Sequence, residues 1–382
     1  MPGRVYLDFN ASAPVDPEVL AVMGKAAADA GGNPSSLHLE GRRARACLDD
    51  ARERVATILG ARPREIVFTS GGTEALHVGL RGAAGARRAK GTGLVVSAME
   101  HPAVLDAVET LGREGFEVRH VPPGSDGTLT ADRVDHAATA GTILVAVMAA
   151  NHETGAIPPV VEIANLVRPR GVLVLCDAAL LPGYGDLRTL AAHVDLLALS
   201  AHKFGGPKGI GVLFVRRGVR LVATQRGGPQ EDQLRGGTEN VLGAVGLAAA
   251  LEKADRERDV RSLAVAARAA RLLATLESVP GVALVGPRTG RLPSTVTVEV
   301  DGCEGEALLI HLDLAGVAVS TGSACAIGAA QPSPVLLAMG FSRRRAASTI
   351  RFSLGPTTTD DEIERAGTIF STSCARLRAL AR

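Results

Sequence analysis

The chain has 382 residues, more than the ~100–200 residues of one ordinary domain, so we expect two closely packed domains with room for a large core. Hydrophobic residues make up 46% of the chain and charged residues 21%, which is typical of globular proteins. The 42 basic and 40 acidic residues leave a formal net charge of +2. This balance argues against direct binding of nucleic acid or of a membrane surface.

Cysteine usage and apolar runs bear on the cellular setting. The chain has 5 cysteines without CxxC spacing, namely Cys47, Cys176, Cys303, Cys325 and Cys374. This odd set favours neither a disulfide framework nor a metal site, and it fits a reducing compartment. No apolar signal core follows Met1, and no run reaches the ~18 uncharged apolar residues of a membrane span. We therefore expect a soluble cytoplasmic protein.

Between about residues 65 and 215, short β-rich runs alternate with segments of helical character. The runs cover residues 65–69, 93–97, 142–147, 172–176, 194–199 and 211–215. Near-continuous apolar strands separated by helices predict an α/β fold with a mostly parallel central sheet covered by helices on both faces. Ligands of such sheets bind at the carboxyl ends of the strands.

Segments of different pattern flank this region. Helical stretches are predicted at 36–59 and at 241–276, the second interrupted near 255–259. After Pro280 come a strand at 295–300, a helix from 305, a short strand at 317–319 and a final helix from 360. These elements predict a smaller α+β domain. We expect a large domain of residues 16–258 and a small domain of residues 1–15 and 259–382.

A glycine-rich turn follows the first β-rich run. Residues 70–75 read SGGTEA, and Gly72 and Thr73 stand where a strand gives way to a helix. The backbone N–H groups and the positive end of that helix can hold a phosphate. An ordinary turn with Thr73 as helix cap is the simpler interpretation of this motif alone. The glycine spacing matches neither a P-loop nor a dinucleotide fingerprint.

Charged side chains follow two further runs. Asp177 directly follows the run 172–176, where its carboxylate can pair with a buried cation such as a protonated pyridine nitrogen, or can cap the next helix. Lys203 follows the run 194–199, where desolvation would make its amine a nucleophile for a carbonyl cofactor. Its neighbours Ser200 and His202 offer hydrogen bonds to a phosphate, which favours Lys203 over Lys208.

Three more residues are candidates by position. His101 lies just beyond the run 93–97 and can stack on a flat ring or move a proton, whereas a hydrogen-bonded loop histidine is the plain alternative. Asn151 has the same position after the run 142–147. Cys325 stands among small residues and can act as a nucleophile, although a free cysteine is most often a small buried hydrophobe.

These motifs, in this order, resemble those of the cysteine desulfurases among the class-V, fold-type I pyridoxal-phosphate proteins. The resemblance covers the chain from about Tyr6 to Leu380. Its motifs are 33–38 (NPSSLH), 69–74 (TSGGTE), 100–102 (EHP), 151–155 (NHETG), 200–211 (SAHKFGGPKGIG), 235–240 (RGGTEN), 322–325 (GSAC) and 350–355 (IRFSLG).

The resemblance implies a role for each candidate residue. Lys203 would form the internal aldimine with pyridoxal 5'-phosphate, Asp177 would pair with the pyridine nitrogen, and His101 would stack on the ring. The phosphate would be held by Gly72, Thr73, Ser200 and His202, helped by Thr238 of the partner subunit in a homodimer. Asn151 would contact the cofactor's phenolic oxygen and the substrate, and Arg351 would bind the substrate carboxylate.

The resemblance also implies the reaction. Sulfur from L-cysteine would pass to the Cys325 thiolate as a persulfide, leaving L-alanine. A sulfur-acceptor protein of iron–sulfur cluster assembly, tRNA thiolation or DNA phosphorothioation would then take the sulfur. A selenocysteine lyase, another class-V enzyme, or a weakly active scaffold that binds a sulfur carrier are the alternatives.

The chain departs from the family pattern at several positions. Leu180 replaces the usual Gln three residues after Asp177, so one hydrogen bond to the cofactor's phenolic oxygen is expected to be lost. His77 and His152 stand where the family commonly has Asn, and Phe9 replaces a polar residue of the family's amino-terminal motif, which reads DFNAS at residues 8–12. We expect the same reaction with altered tuning of the cofactor.

Overall fold

The computed structural model of the protein describes residues 3–321 and 332–380. Its strands, in chain order, are β1 (Val5–Tyr6), β2 (Ile66–Thr69), β3 (Gly93–Ser97), β4 (Glu117–Val121), β5 (Thr142–Ala146), β6 (Leu173–Asp177), β7 (Leu196–Ser200), β8 (Gly211–Val215), β9 (Val282–Leu284), β10 (Thr295–Val300), β11 (Val317–Ala318) and β12 (Thr349–Ser353). Its helices are α1 (Pro17–Asp29), α2 (Leu39–Leu59), α3 (Gly72–Arg87), α4 (Pro102–Arg113), α5 (Ala131–Ala137), α6 (Val160–Val167), α7 (Leu187–His193), α8 (Val241–Arg256), α9 (Arg258–Glu277), α10 (Gly305–Leu314), α11 (Pro334–Ala338), α12 (Arg343–Ala347) and α13 (Asp360–Leu380).

A seven-stranded sheet forms the centre of the molecule. Its strand order is β2-β8-β7-β6-β5-β3-β4. The strands from β7 to β4 are parallel, and β8 runs antiparallel to both β7 and β2. The predicted α/β fold with a mostly parallel sheet is therefore confirmed.

Alternation of side chains along the central strands builds two cores. In β3, Val95 belongs to one apolar cluster, while Leu94 and Val96 belong to the cluster on the opposite face. Every residue of β3, β5, β6, β7 and β8 is buried, as continuous apolar runs require when helices cover both faces. The strands therefore end where the buried apolar runs end.

Strand β4 was missed by the sequence analysis. It reads EVRHV, and only Val121 of it is buried. The strand pairs with β3 alone and so lies at the edge of the sheet, where charged side chains are common because they discourage pairing with other chains. The apolar pattern that predicts the other strands is therefore absent from it.

Two helix boundaries show what sets them. The predicted interruption near 255–259 is confirmed, because α8 ends at Arg256 and α9 begins at Arg258. The predicted start of α2 at residue 36 was wrong: the helix begins at Leu39, after His38, whose side chain caps it by accepting from the N–H of Gly41. Within residues 3–321 and 332–380, none of the helices combines the length and the apolarity needed to cross a membrane.

A second group of elements packs beside the large sheet. Strands β9, β10 and β12 form an antiparallel sheet, and β1 pairs with β11 in parallel. A third apolar cluster joins Val5 and Leu7 to side chains between Val265 and Cys374. The amino-terminal residues thus pack with the carboxyl-terminal part of the chain. The domain limits at residues 16 and 258 stay a prediction.

Phe9 occupies the space that a side chain at residue 355 would need. A Cβ built on Gly355 would lie 2.0 Å from a ring carbon of Phe9, far inside van der Waals contact. The Phe9 ring is buried, and it meets the ring of Tyr6 edge-on with centroids 5.3 Å apart. Gly355 is therefore required by the phenylalanine that departs from the family pattern.

We predict that Gly355→Ala destabilises the protein by about 1–3 kcal/mol, the usual cost of overpacking a well-packed site. The same change in a Phe9→Ala background should cost much less, because the clashing ring is gone. Denaturant unfolding of the two single variants and the double variant measures this coupling.

Gly24→Ala is the matched control, since Gly24 is exposed in α1 with no atom near its added Cβ. It should be neutral or stabilising by up to about 1 kcal/mol from helix propensity. Equal costs for Gly355→Ala in both backgrounds would contradict the assigned role of Phe9.

Candidate active site

A cavity of about 580 Å³ opens at the carboxyl ends of the parallel strands. Its lining includes most of the residues that the sequence analysis selected: Gly72, Thr73, His101, Asp177, Ser200, His202 and Lys203. They come from the ends of β2, β3, β6 and β7. Lys208 lines the same cavity but is an exposed residue.

The glycine-rich turn brings the start of α3 close to Ser200. A Cβ added to Gly72 would lie 3.2 Å from the Cβ of Ser200, which is tighter than about nine in ten real Cβ contacts. A Cβ on Gly211, at the start of β8, would lie 2.5 Å from the carbonyl carbon of Gly71. These glycines let the backbone N–H groups at the positive end of α3 face the cavity beside a serine hydroxyl, an arrangement suited to a phosphate.

His202 is uncharged at neutral pH. Burial, with help from the nearby charges of Lys203 and Lys208, lowers the pKa of its imidazole to about 4. Its Nδ1 lies 3.3 Å from the Oγ of Ser12. His202 can therefore donate a hydrogen bond in this cavity without bringing a charge.

Lys203 ends a single turn of 3₁₀ helix that directly follows β7. Its Nζ donates to the carbonyl oxygens of Asn10 at 2.7 Å and of Ala11 at 3.2 Å. The amine is thus held at the cavity by the amino-terminal segment. The sequence analysis assigned no role to Asn10, and the only signal for it was its place in the motif at 8–12.

Asp177 is the last residue of β6, and its Oδ1 accepts from the N–H of Ala179 at 3.0 Å. Burial raises the pKa of this carboxyl group, while the Ala179 N–H, His101 and Lys203 oppose the rise. A further cation next to the carboxylate would restore its ionised form. The buried position therefore suits a protonated ring nitrogen.

His101 caps α4, and its Nδ1 accepts from the N–H of Ala103 at 3.0 Å. The neutral ring consequently carries its proton on Nε2. Burial lowers the pKa of His101, Asp177 opposes this effect, and Lys203 adds to it. The ring meets that of His152 edge-on, with centroids 5.4 Å apart and an interplanar angle of 63°.

Arg351 is linked to Lys203 by three hydrogen bonds, through His152 and Asn10. Its Nη1 donates to the carbonyl oxygen of His152 at 2.9 Å, and its Nη2 donates to Oδ1 of Asp8 at 2.8 Å. Asn10, which accepts from Lys203 through its backbone, also donates from its side chain to the His152 carbonyl at 3.1 Å. Arg351 is therefore buried next to the cavity although it is not among the lining residues.

Asn151 does not line the cavity. Its Nδ2 donates to the carbonyl oxygen of Met99 at 3.0 Å, and its Oδ1 accepts from the N–H groups of Glu153 at 3.0 Å and Thr154 at 2.8 Å. These bonds shape the loop 151–155, which carries His152. The predicted contact of Asn151 with the cofactor and substrate stays a prediction.

Thr238 is exposed and lies outside the cavity lining of its own chain. Its segment is joined to α3, because Nε of Arg235 donates to Oε1 of Glu74 at 2.9 Å. Just before it, residues 231–233 have left-handed backbone, with Glu231 at φ 50°. The buried carboxylate of Glu231 holds this turn through two bonds to Arg52, at 2.6 and 2.8 Å.

Cys325 lies outside the described residues. The described chain on either side of it is attached to the site. Ser320 exchanges two backbone hydrogen bonds with Arg351, at 3.1 and 2.7 Å. On the other side, the Ser333 hydroxyl donates to Oε2 of Glu153 and accepts from the N–H of Leu336 at 3.1 Å, capping α11.

Glu153 was missed by the sequence analysis, although it belongs to the motif at 151–155. Its side chain is buried, and burial raises the pKa of its carboxyl group to about 7, against the opposing effects of Ser333 and Arg351. Oε1 of Glu153 lies 3.6 Å from Nε2 of His152. Glu153 therefore connects the histidine loop to the chain that follows Cys325.

Comparison with known proteins shows the family to which the chain belongs. The family model described as aminotransferase class-V matches residues 5–366. A cysteine desulfurase IscS of Anaeromyxobacter dehalogenans is 42% identical over 380 residues, which cover 98% of this chain and 94% of the relative. This chain belongs to the cysteine desulfurases of the class-V aminotransferase family.

Solved structures of this family share the fold. A structure described as a NifS-like protein has a TM-score of 0.91 and 34% sequence identity, covering 97% of this chain and 98% of its own. A structure described as SspA in complex with cysteine has a TM-score of 0.82 and 32% identity, covering 93% of this chain and 99% of its own.

Pyridoxal 5'-phosphate is the cofactor of this family, and the described residues fit it. The start of α3 lies so close to Ser200 that a Cβ on Gly72 would crowd the serine side chain. A phosphate cradle requires such a close approach of the backbone. The buried carboxylate of Asp177 suits the protonated ring nitrogen, and the amine of Lys203 suits the aldehyde.

We predict that Glu153→Gln changes how stability depends on pH. Because folding raises the pKa of Glu153 from 4.5 to about 7, the folded state holds a proton that the unfolded state has lost between these values. Wild-type stability should therefore fall by about 3 kcal/mol through this group as pH rises from about 4.5 to 7. The variant, which has no ionisable group there, should lack this component.

Denaturant unfolding of both proteins at pH 5, 6, 7 and 8 measures the difference. Glu162→Gln, at an exposed glutamate of α6, is the matched control and should follow the wild-type pH dependence. Parallel curves for wild type and Glu153→Gln would show that Glu153 takes up no proton on folding.

Proposed function

We propose that this chain removes sulfur from L-cysteine, with pyridoxal 5'-phosphate as cofactor, to give L-alanine and a persulfide on Cys325. The observation that carries the proposal is that Lys203, Asp177 and His101 meet in one cavity beside a phosphate cradle. The cysteine seen in the complex of the related SspA protein supports L-cysteine as the substrate.

Each side chain of the cavity has a separate role in this proposal. Gly72, Thr73, Ser200 and His202 would hold the phosphate, and Asp177 would face the ring nitrogen. His101 would lie against the ring. When bound, pyridoxal phosphate supplies an electron sink for the carbanion formed at the substrate Cα. Lys203 would take the proton from that carbon and return it.

The sulfur step needs a thiolate and balances without a further reactant. The Cys325 thiolate attacks the substrate sulfur, the substrate C–S bond breaks, and an S–S bond forms on Cys325. Of the two thiol protons that enter the reaction, one ends on the persulfide and the other on the alanine methyl group. Arg351 would hold the substrate carboxylate, and its backbone pairs with Ser320, close in sequence to Cys325.

The formation of a dimer and the transfer of the sulfur to an acceptor are part of the same proposal. Two copies would form a homodimer in which the exposed Thr238 of the partner subunit reaches the phosphate. The persulfide would pass in the cytoplasm to a sulfur-acceptor protein that serves iron–sulfur cluster assembly, tRNA thiolation or DNA phosphorothioation. The outward position of Thr238 and its attachment to α3 through Arg235 support this role.

The deciding experiment measures alanine released from L-cysteine by the cofactor-loaded protein, with and without a reductant that clears the persulfide. We expect multiple turnovers only with the reductant. Cys325→Ala should keep the cofactor absorbance but form no persulfide by mass spectrometry, because the cofactor cavity is built from other residues. Cys47→Ala, at a half-buried cysteine of α2, is the control and should behave as wild type.

Bound cofactor without alanine release would contradict the desulfurase proposal and favour the scaffold. Much faster turnover of L-selenocysteine than of L-cysteine would favour a selenocysteine lyase. A persulfide on a cysteine other than Cys325 would contradict the assigned nucleophile.

Leu180 provides a test of the altered tuning of the cofactor. It directly follows Ala179, which lines the cavity. We predict that Leu180→Gln restores a hydrogen-bond donor, and so shifts the pH titration of cofactor absorbance or the turnover rate. Leu180→Met, which stays apolar, should change neither. Identical titrations and rates for Leu180→Gln and wild type would refute the role of this position.

A further inference from the structure

The turn at residues 231–233 has a backbone conformation that residues with side chains rarely adopt. Glu231, Asp232 and Gln233 have φ values of 50°, 51° and 65°. In the described part of the chain, no other residue except glycines has a positive φ. Such a conformation persists only where the surrounding structure stabilises it, and it is concentrated at functional sites. The contacts that stabilise this turn therefore point to a function for it.

The carboxylate of Glu231 anchors the turn to α2 and β2. Its side chain is 1% exposed. Its two oxygens accept from the two terminal nitrogens of Arg52 in α2, at 2.6 and 2.8 Å, and Oε2 also accepts from the N–H of Phe68 in β2 at 2.9 Å. The Arg52 guanidinium lies over the Phe68 ring, 4.8 Å from its centroid. Removal of the carboxylate would leave the arginine charge largely buried without this partner, so the anchor is a strong one.

The chain that follows this turn presents Thr238 from a fixed backbone. Just before Thr238, the N–H of Gly237 donates to Oε1 of Gln230, the residue that precedes the turn, at 3.3 Å. Just after it, the side chain of Glu239 is only 3% exposed, and Asn240 caps α8. Thr238 itself is exposed. Its position is therefore set by the turn and by the start of α8.

We propose that Glu231 is a positioning residue, which holds the turn at residues 231–233 and thereby places Thr238 for a hydrogen bond to the cofactor phosphate in the partner subunit. This inference rests on the proposed function, which assigns that contact to Thr238. A hydrogen bond weakens steeply when its distance or angle leaves a narrow range, so a small displacement of Thr238 is enough to lose it. Glu231 does not line the cavity of its own chain, and it acts on the phosphate only through Thr238.

The first experiment compares the binding of pyridoxal phosphate with that of pyridoxal, which lacks the phosphate. Dissociation constants come from cofactor absorbance during reconstitution of the protein. Wild type should prefer pyridoxal phosphate. Glu231→Gln should lose roughly tenfold of this preference, as expected for one hydrogen bond to a charged group, with little change for pyridoxal. Glu252→Gln is the matched control and should behave as wild type, since Glu252 also binds an arginine of α2, Arg54, but has no contact with the turn.

Three further variants separate positioning from a general loss of stability. Thr238→Val should lose as much of the preference as Glu231→Gln, and the double variant should lose no more, because both changes remove the same hydrogen bond. Asp232→Gly added to Glu231→Gln should restore most of the preference, because glycine adopts the left-handed conformation without strain. Arg52→Lys keeps the positive charge but gives up the paired bonds, so it is a milder change that should act in the same direction.

Mixed dimers test whether Glu231 acts on the cavity of the other subunit. One subunit carries Lys203→Ala, so that only the cavity of the other subunit can bind the cofactor through its lysine, and two different affinity tags isolate the mixed dimer. Glu231→Gln in the Lys203→Ala subunit should weaken the binding of pyridoxal phosphate roughly tenfold, because the Thr238 of that subunit is the one that reaches the intact cavity. The same change in the subunit that keeps Lys203 should have little effect.

The inference is overturned if Glu231→Gln and Arg52→Lys both keep the full preference, if the losses of Glu231→Gln and Thr238→Val add in the double variant, if Asp232→Gly restores nothing, or if the effect in mixed dimers follows the subunit that keeps Lys203. Failure of the proposed function has a different signature. In that case the wild-type protein would be a monomer, would bind pyridoxal as tightly as pyridoxal phosphate, or would keep its full preference in Thr238→Val.

Discussion

The amino-terminal segment between Asp8 and Ser12 is the element on which the site depends. Its backbone carbonyls accept from the amine of Lys203, and its Asn10 side chain reaches the loop that carries His152. Its Asp8 binds Arg351, and its Ser12 lies against His202. A short stretch of chain thus joins Lys203, His202 and Arg351. The positions of these groups relative to one another therefore depend on this segment.

The large sheet supplies the other half of the arrangement. Because its parallel strands end at one edge, functional residues that are far apart in the sequence lie close together in the structure. The apolar runs that form β3, β5, β6 and β7 can be recognised in the sequence. The ends of these runs predict the positions of His101, Asp177 and Lys203. Strand β4 could not be predicted from the sequence, because an edge strand with charged side chains lacks the apolar pattern of a buried strand.

Residues that act through distant partners were harder to predict. Asn10 and Glu153 stand inside recognisable motifs, but their roles come from contacts with Lys203 and with Ser333, which no local pattern encodes. The same holds for the departures from the family. Phe9 reads as a lost polar group, and only the packing of its ring on Gly355 gives it a structural meaning.

The pairing of Asp8 with Arg351 also constrains when the enzyme can be completed in the cell. The two residues are 343 positions apart. At about 5–20 residues per second, a ribosome needs roughly 17–70 s to synthesise that stretch. The large sheet, with Lys203 and Asp177 in place, is fully synthesised long before Arg351 leaves the ribosome. A nascent chain is therefore expected to acquire the residues proposed to hold the phosphate first and Arg351 last. Chains cut short by early termination would present Lys203 without the arginine that we propose binds the substrate.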